Sequence, residues 1–130
     1  MTSEAIKEYG FPSNPEELEY QLFPIELEGD RHVFFHGTAR KNLEEIISKG
    51  FKTRENLQSI SFADKSSLSL KYASEARSSE SPEGDVIVVR FGDLNKPGIK
   101  RENFGIYLYD MELQPEIIGY CVVPDLYNFL

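Results

Sequence analysis

His32 and His36 are the only histidines in the chain. They lie four residues apart in the run His32-Val-Phe-Phe-His36-Gly37-Thr38. That spacing puts two side chains on one face of a helix or of a strand, which is how a metal site can begin. No third ligand in a metal-binding spacing accompanies them, so no metal is expected. His36 says more, because it closes an apolar run immediately before a glycine. A strand end feeding a glycine turn exposes one side chain and two backbone groups to a cleft. Taken alone, the plainer reading is a strand-end histidine satisfied by backbone. The single cysteine, Cys121, forms no internal disulfide and supports no zinc site. No G-x-x-x-x-G-K-[ST], G-x-G-x-x-G or G-x-S-x-G pattern is present, so P-loop, dinucleotide-fingerprint and hydrolase-elbow chemistry find no support.

The elements that must position these groups follow from periodicity. Residues 32–36 are β-rich and end at Gly37, so a buried strand followed by a turn is expected. Residues 39–49 place Leu43, Ile46 and Ile47 on one helical face, with Gly50 as the stop. Residues 59–62 form a short strand candidate. Residues 66–77 form a second helix, with Leu68, Tyr72 and Ala76 aligned as its apolar face. The polar stretch 78–84 is an exposed loop. Strands are expected over 85–91, 104–109 and 116–123. Helices early and strands late suggest an α+β fold, a sheet with helices packed on it.

At 130 residues the chain matches the commonest single-domain size. Its 40% hydrophobic and 28% charged residues are an ordinary globular mixture. No apolar run approaches the roughly 20 residues of a membrane helix, and the first residues lack the regions of a signal peptide. A soluble cytoplasmic monomer is therefore expected, or an effector delivered without a recognisable signal. The net charge of −8 is uneven: residues 1–30 carry −7 and residues 31–130 only −1. Residues 1–31 are read as an acidic leader packed on the domain through Tyr9, Phe11, Tyr20, Leu22 and Phe23, with Pro15 opening a short helix. The minority reading is an acidic partner-binding or autoinhibitory arm. A low pI argues against non-specific DNA binding.

Three stretches, taken together and in order, resemble the ADP-ribosyltransferase family, most closely the catalytic domains of poly(ADP-ribose) polymerases. They are the strand ending His36-Gly37-Thr38, the segment Ser61-Phe62-Ala63-Asp64 with Ser67-x-Ser69-x-x-Tyr72, and Gln114-Pro115-Glu116-Ile117-Ile118-Gly119-Tyr120 near the end. The similarity covers residues 32–130. It implies an ADP-ribosyltransferase-like split β-sheet core with flanking helices and NAD as co-substrate without a metal. It also assigns roles. His36 would bond a hydroxyl of the nicotinamide ribose, and the backbone of Gly37 would grip the carboxamide with help from Ser69. Tyr72 would stack on the nicotinamide ring. Thr38, Asn42 and Ser61 would lie on the NAD-binding surface, Asn42 toward the adenosine half. Glu116 would be the catalytic carboxylate. Arg40, Lys41, Lys49, Lys52 and Arg54 form a local basic surplus that could face the pyrophosphate, although solvated surface is the plainer account of most of them.

Each residue has a plainer reading by itself. Tyr72 fits the apolar face of its helix, Ser66 or Ser67 suits an N-cap, and Glu116 after a proline suits a solvent-facing strand start. The chain also departs from the family where Ser61 stands in place of a tyrosine. That tyrosine normally forms one wall of the nicotinamide slot, so single ADP-ribose transfer is expected rather than chain elongation. The resulting expectation is a glycosyltransferase-class enzyme that moves one ADP-ribose from NAD to a macromolecule, protein rather than nucleic acid. NAD hydrolysis, or an inert domain of the same fold used for binding, are the alternatives.

Overall fold

The computed structural model describes residues 6–53 and 57–128. The described chain is an α+β protein built on one open, mixed, seven-stranded sheet with three short helices. In chain order the strands are β1 (Lys7–Tyr9), β2 (Val33–Ala39), β3 (Ile60–Ala63), β4 (Gly84–Arg90), β5 (Ile99–Glu102), β6 (Gly105–Leu108) and β7 (Glu116–Val123). The helices are α1 (Ile25–Glu28), α2 (Leu43–Lys49) and α3 (Ser66–Glu75). Spatial order across the sheet is β1-β7-β4-β2-β3-β6-β5. Only the β1–β7 pair is parallel.

The sheet is covered on both faces, which explains why its central strands read as unbroken apolar runs. Side chains alternate between the faces with period two. Phe35, Val86 and Val88 meet Leu70 and Ala73 of α3 together with Leu22 and Phe23. Phe34, Ile87 and Val89 meet Leu43 of α2, Phe51 and Phe62 on the opposite side. All four residues from Val86 to Val89 are fully buried.

Several sequence expectations change in detail. The strand expected to stop at His36 continues through Gly37 and Thr38 to Ala39. Gly37 is thus a glycine of close approach rather than of a turn: a Cβ there would lie 2.2 Å from the Ser69 carbonyl oxygen and 2.7 Å from the Ala73 nitrogen. The helix expected from residue 39 opens as a 3-10 turn, Arg40–Asn42, before α2. It ends at Gly50, whose φ of +86° favours glycine. In α3 the buried residues are Ser66, Ser69, Leu70 and Ala73, not the row Leu68, Tyr72 and Ala76. Tyr72 is 61% exposed, so it is no core residue. The reason is again Gly37, which brings the serine-bearing side of α3 down onto the strand. Lys65 takes the N-cap position without a capping side chain, and the Ser66 hydroxyl bonds elsewhere.

The N-terminal segment is woven into the fold. β1 extends the sheet along β7, and Leu22 and Phe23 are core residues. Phe23 stacks on Phe35 at 5.4 Å, and Tyr9 meets Phe23 edge-on at 5.1 Å. Detaching this segment as an arm would open the core. No helix among the described residues is long and apolar enough to cross a membrane.

Candidate active site

The sheet is nearly split between β2 and β3. Strand β2 pairs with β4 over seven consecutive residues, from Val33↔Arg90 to Ala39↔Gly84, but with β3 only through Phe35↔Ala63. Hydrogen-bond alternation shows which backbone groups face the split. The Arg40 N–H donates to the Glu83 carbonyl, and the Phe91 N–H donates to the His32 carbonyl. Both pairs continue the β2–β4 register, so even-numbered residues of β2 point their backbone groups at β4. Odd-numbered residues point theirs at β3. Gly37 therefore directs its N–H and C=O into the split, beyond the last β2–β3 pair. Across it, His36 Nδ1 lies 2.9 Å from the Ser61 carbonyl. A carbonyl only accepts, so Nδ1 carries the proton and donates. The imidazole is braced by the rings of Phe51 and Phe62 at 5.3 and 5.4 Å.

A cleft of about 460 Å³ opens beside this split. One wall is α3, which contributes Leu68, Ser69 and Tyr72; the other is β3 and β6, with Ser61 and Tyr107. Ser61 and Tyr107 are directly opposite each other, so both project from the same face. The β5–β6 hairpin closes one end with Glu102, Asn103 and Phe104. Glu102 pairs with Gly105, and the Phe104 carbonyl accepts the Asp64 N–H at 2.8 Å, which fixes the hairpin to the end of β3. The Glu102 carboxylate lies 3.6 Å from Lys100 Nζ on an exposed rim.

A second, larger depression of about 910 Å³ shares His36, Gly37, Ser61 and Tyr107 with the first. It runs the other way, past Thr38, Lys41, Asn42, Lys52, Thr53 and Ser59. Asn42 Nδ2 donates to Thr38 Oγ1 at 3.0 Å, which ties the turn before α2 to the end of β2. Arg40 is occupied next to this depression. Its guanidinium bonds Asp85 at 2.9 Å and lies 5.5 Å over the Tyr120 ring. Asp85 is completely buried, and that burial outweighs Arg40, pushing its carboxyl up to about 6. Lys49 does not line either depression, and Arg54 lies outside the described residues.

The structure thus brings His36, Gly37, Ser61, Ser69 and Tyr72 around one cleft, with Thr38 and Asn42 on its continuation. It does not bring Glu116 there. The register sets Glu116 opposite Arg90, which is opposite Val33. Glu116 is thus three rows from His36, about 10 Å along the strands, and two strands, again about 10 Å, across the sheet. Opening a late strand does not say which end of the sheet that strand starts from. The carboxylate at the cleft is Glu102, and the second aromatic ring is Tyr107. Neither was singled out from sequence. Lys100-Arg101-Glu102 has no β-forming character, so the hairpin was readable only from Asn103-Phe104-Gly105 followed by alternation through Tyr107. His32, the other histidine, bonds the Phe91 carbonyl at 3.2 Å. Among the described residues no three His, Cys, Asp or Glu side chains are grouped to hold a metal ion. No family model matches the chain, and no curated protein matches it in sequence.

Proposed function

We propose that this protein is an ADP-ribosyltransferase that cleaves the nicotinamide–ribose bond of NAD and passes one ADP-ribose to a macromolecular acceptor. In this reading the mixed sheet is the split sheet of that fold, and the β2–β3 gap is the split. The observation that carries the reading is the backbone of Gly37 turned into a cleft walled by Ser69, Tyr72 and Tyr107. One N–H and one C=O side by side complement a primary carboxamide, which offers one acceptor and one donor group. Ser69 supplies a hydroxyl on the same wall. Tyr72 and Tyr107 offer ring faces to a flat heteroaromatic group. Tyr107 takes the place on β6 that Ser61 leaves unfilled on β3.

The remaining parts take matching roles. His36, common to both depressions, bonds the nicotinamide ribose. The polar continuation past Thr38 and Asn42 takes the adenosine half, with Lys41 and Lys52 available to the pyrophosphate. Cleaving the glycosidic bond leaves positive charge on the ribose as neutral nicotinamide departs. A carboxylate near that charge lowers the barrier electrostatically, and clamping carboxamide and ribose orients the bond for attack. Glu102 takes this role in place of Glu116, because Glu102 lines the cleft and Glu116 lies rows away. With a chain charge of −8, a protein acceptor is favoured over nucleic acid.

The test is nicotinamide release from NAD by the wild type, Glu102→Gln and Glu116→Gln, with and without lysate. Glu102→Gln is expected to lose at least about 100-fold in rate, as other electrostatic deletions do. Glu116→Gln is expected to retain activity. Release with free ADP-ribose as the sole product would reassign the enzyme to NAD hydrolysis. Neither release nor NAD binding by the wild type would refute the reading.

A further inference from the structure

Helix α3 begins without a cap of its own. Lys65 occupies the N-cap position with no side-chain cap bond, and the first turn holds no acidic residue. The first N–H groups of a helix need acceptors, and negative charge is favoured there. In this chain the acceptor comes from 38 residues earlier. Glu28, the last residue of α1, places Oε2 2.5 Å from the Ser66 hydroxyl and Oε1 3.5 Å from the Ser66 N–H. The same carboxylate accepts the Leu22 and Phe23 N–H groups at 3.2 and 3.1 Å. The Ser66 hydroxyl in turn accepts the Leu22 N–H at 3.0 Å. Ser66 is fully buried, so these bonds form where water does not compete.

We infer that Glu28 is a positioning residue: its carboxylate caps α3 from the N-terminal segment and thereby sets where Ser69 and Tyr72 stand against Gly37. Ser69 lies one turn beyond Ser66 and Tyr72 two, so about 4.5 and 9 Å of helix separate them from the anchor. Farther along the helix, the same side of α3 is seated on β2 through Leu70, Ala73 and the missing side chain of Gly37. The N-terminal anchor therefore decides how the first two turns lie over the cleft. The N-terminal segment acts through this bond as a strut for the cleft wall. The ligand half of this inference rests on the proposed nicotinamide site, while the helix half does not.

The experiment compares the full chain with Glu28→Ala, Glu28→Asp and Glu28→Gln, and with Glu26→Ala as a control on the exposed side of α1. Amide hydrogen exchange is read over residues 66–72 and over β4, and nicotinamide is the binding probe. Losing a cap bond is expected to speed exchange in the first two turns of α3 about fivefold in Glu28→Ala, with β4 unchanged and nicotinamide affinity weakened by a similar factor. Glu28→Asp, which keeps the charge, is expected to recover part of both effects. Glu28→Gln, which loses it, is expected to recover less, and Glu26→Ala should match the wild type. Unchanged exchange over residues 66–72 overturns the inference. So does equal loss of protection in β4, which would make Glu28 a residue of general stability. Faster exchange in α3 with unaltered nicotinamide affinity overturns the positioning role. If the wild type binds no nicotinamide, the functional reading fails, and exchange still decides whether Glu28 anchors α3.

Discussion

Replacing Gly37 by alanine tests the central claim about how the cleft is built. An added Cβ would sit 2.2 Å from the Ser69 carbonyl oxygen, 2.7 Å from the Ala73 nitrogen and 3.2 Å from the Ser69 carbonyl carbon. All three are backbone atoms of α3, so no side chain can swing aside. Ordinary contact begins at 3.4 Å, so the helix must rise by about 1 Å. That lift separates Leu70 and Ala73, both fully buried, from Phe35 and Val86. Overpacking of this kind costs about 1–3 kcal/mol. For a chain of this length each kcal/mol lowers the melting midpoint by about 4 °C, so a drop of about 4–12 °C is expected. The companion variant is Gly92→Ala, whose new Cβ meets nothing within 4 Å and which should melt within about 2 °C of the wild type. Thermal unfolding by circular dichroism measures both. Nicotinamide titration of the folded Gly37→Ala protein should also show at least tenfold weaker binding, about 1.4 kcal/mol, because Ser69 and Tyr72 move with the helix. A Gly37→Ala protein as stable as the wild type would refute the close packing of α3 on β2 and the geometry built on it.

Further outcomes follow from other contacts. The Asp85 carboxyl rises from 3.8 to about 6, so the native state holds its proton more tightly than the unfolded chain. Stability from this group is then present below about pH 4 and lost as pH rises toward 6, by about 3 kcal/mol in all. Asp85→Asn should flatten that slope in urea titrations at pH 4.5 and 7.5, since Arg40 is 38% exposed and can be solvated; an unchanged slope would contradict it. Tyr107→Ala removes a ring that is 38% exposed, so folding should survive while nicotinamide binding weakens about 2–10-fold. Unaltered titration would remove Tyr107 from the cleft wall. Gln114 accepts the Phe51 N–H at 2.8 Å and donates to the carbonyls of Phe51 and Met111 at 2.9 and 2.8 Å. Gln114→Ala should cost about 1–3 kcal/mol by denaturant unfolding, because it strands groups beside buried Phe51.

What could be read from sequence was local. The run from Val86 to Val89 is apolar throughout because both faces of its strand are covered, and the last strand, Glu116 to Val123, has the expected bounds. Gly50 stops α2 because its backbone is left-handed there. His36, Gly37, Ser69 and Tyr72 were singled out by the resemblance of their motifs to a known family, since each alone had a plainer reading. What could not be read depends on partners distant in sequence. β1 is three residues, Lys-Glu-Tyr, with no pattern of its own; it is a strand because the edge of β7 offers backbone groups to pair. Tyr72 belongs to the apolar row of its helix by periodicity, yet Gly37 turns the serine side inward. Glu28 looks like one more acid in an acidic segment until α3 arrives beside it.

The choice between Glu102 and Glu116 has the same origin. Each stands at the end of a strand, and only the folded β5–β6 hairpin shows that Glu102 lines the cleft. Side-chain periodicity and glycine stops follow from the chain's own covalent geometry, so the sequence by itself determined the central strands and the two longer helices, with part of the cleft's lining. The carboxylate, the second ring and the anchor of α3 were decided by pairing across the sheet and packing over it, interactions that exist only once distant segments meet.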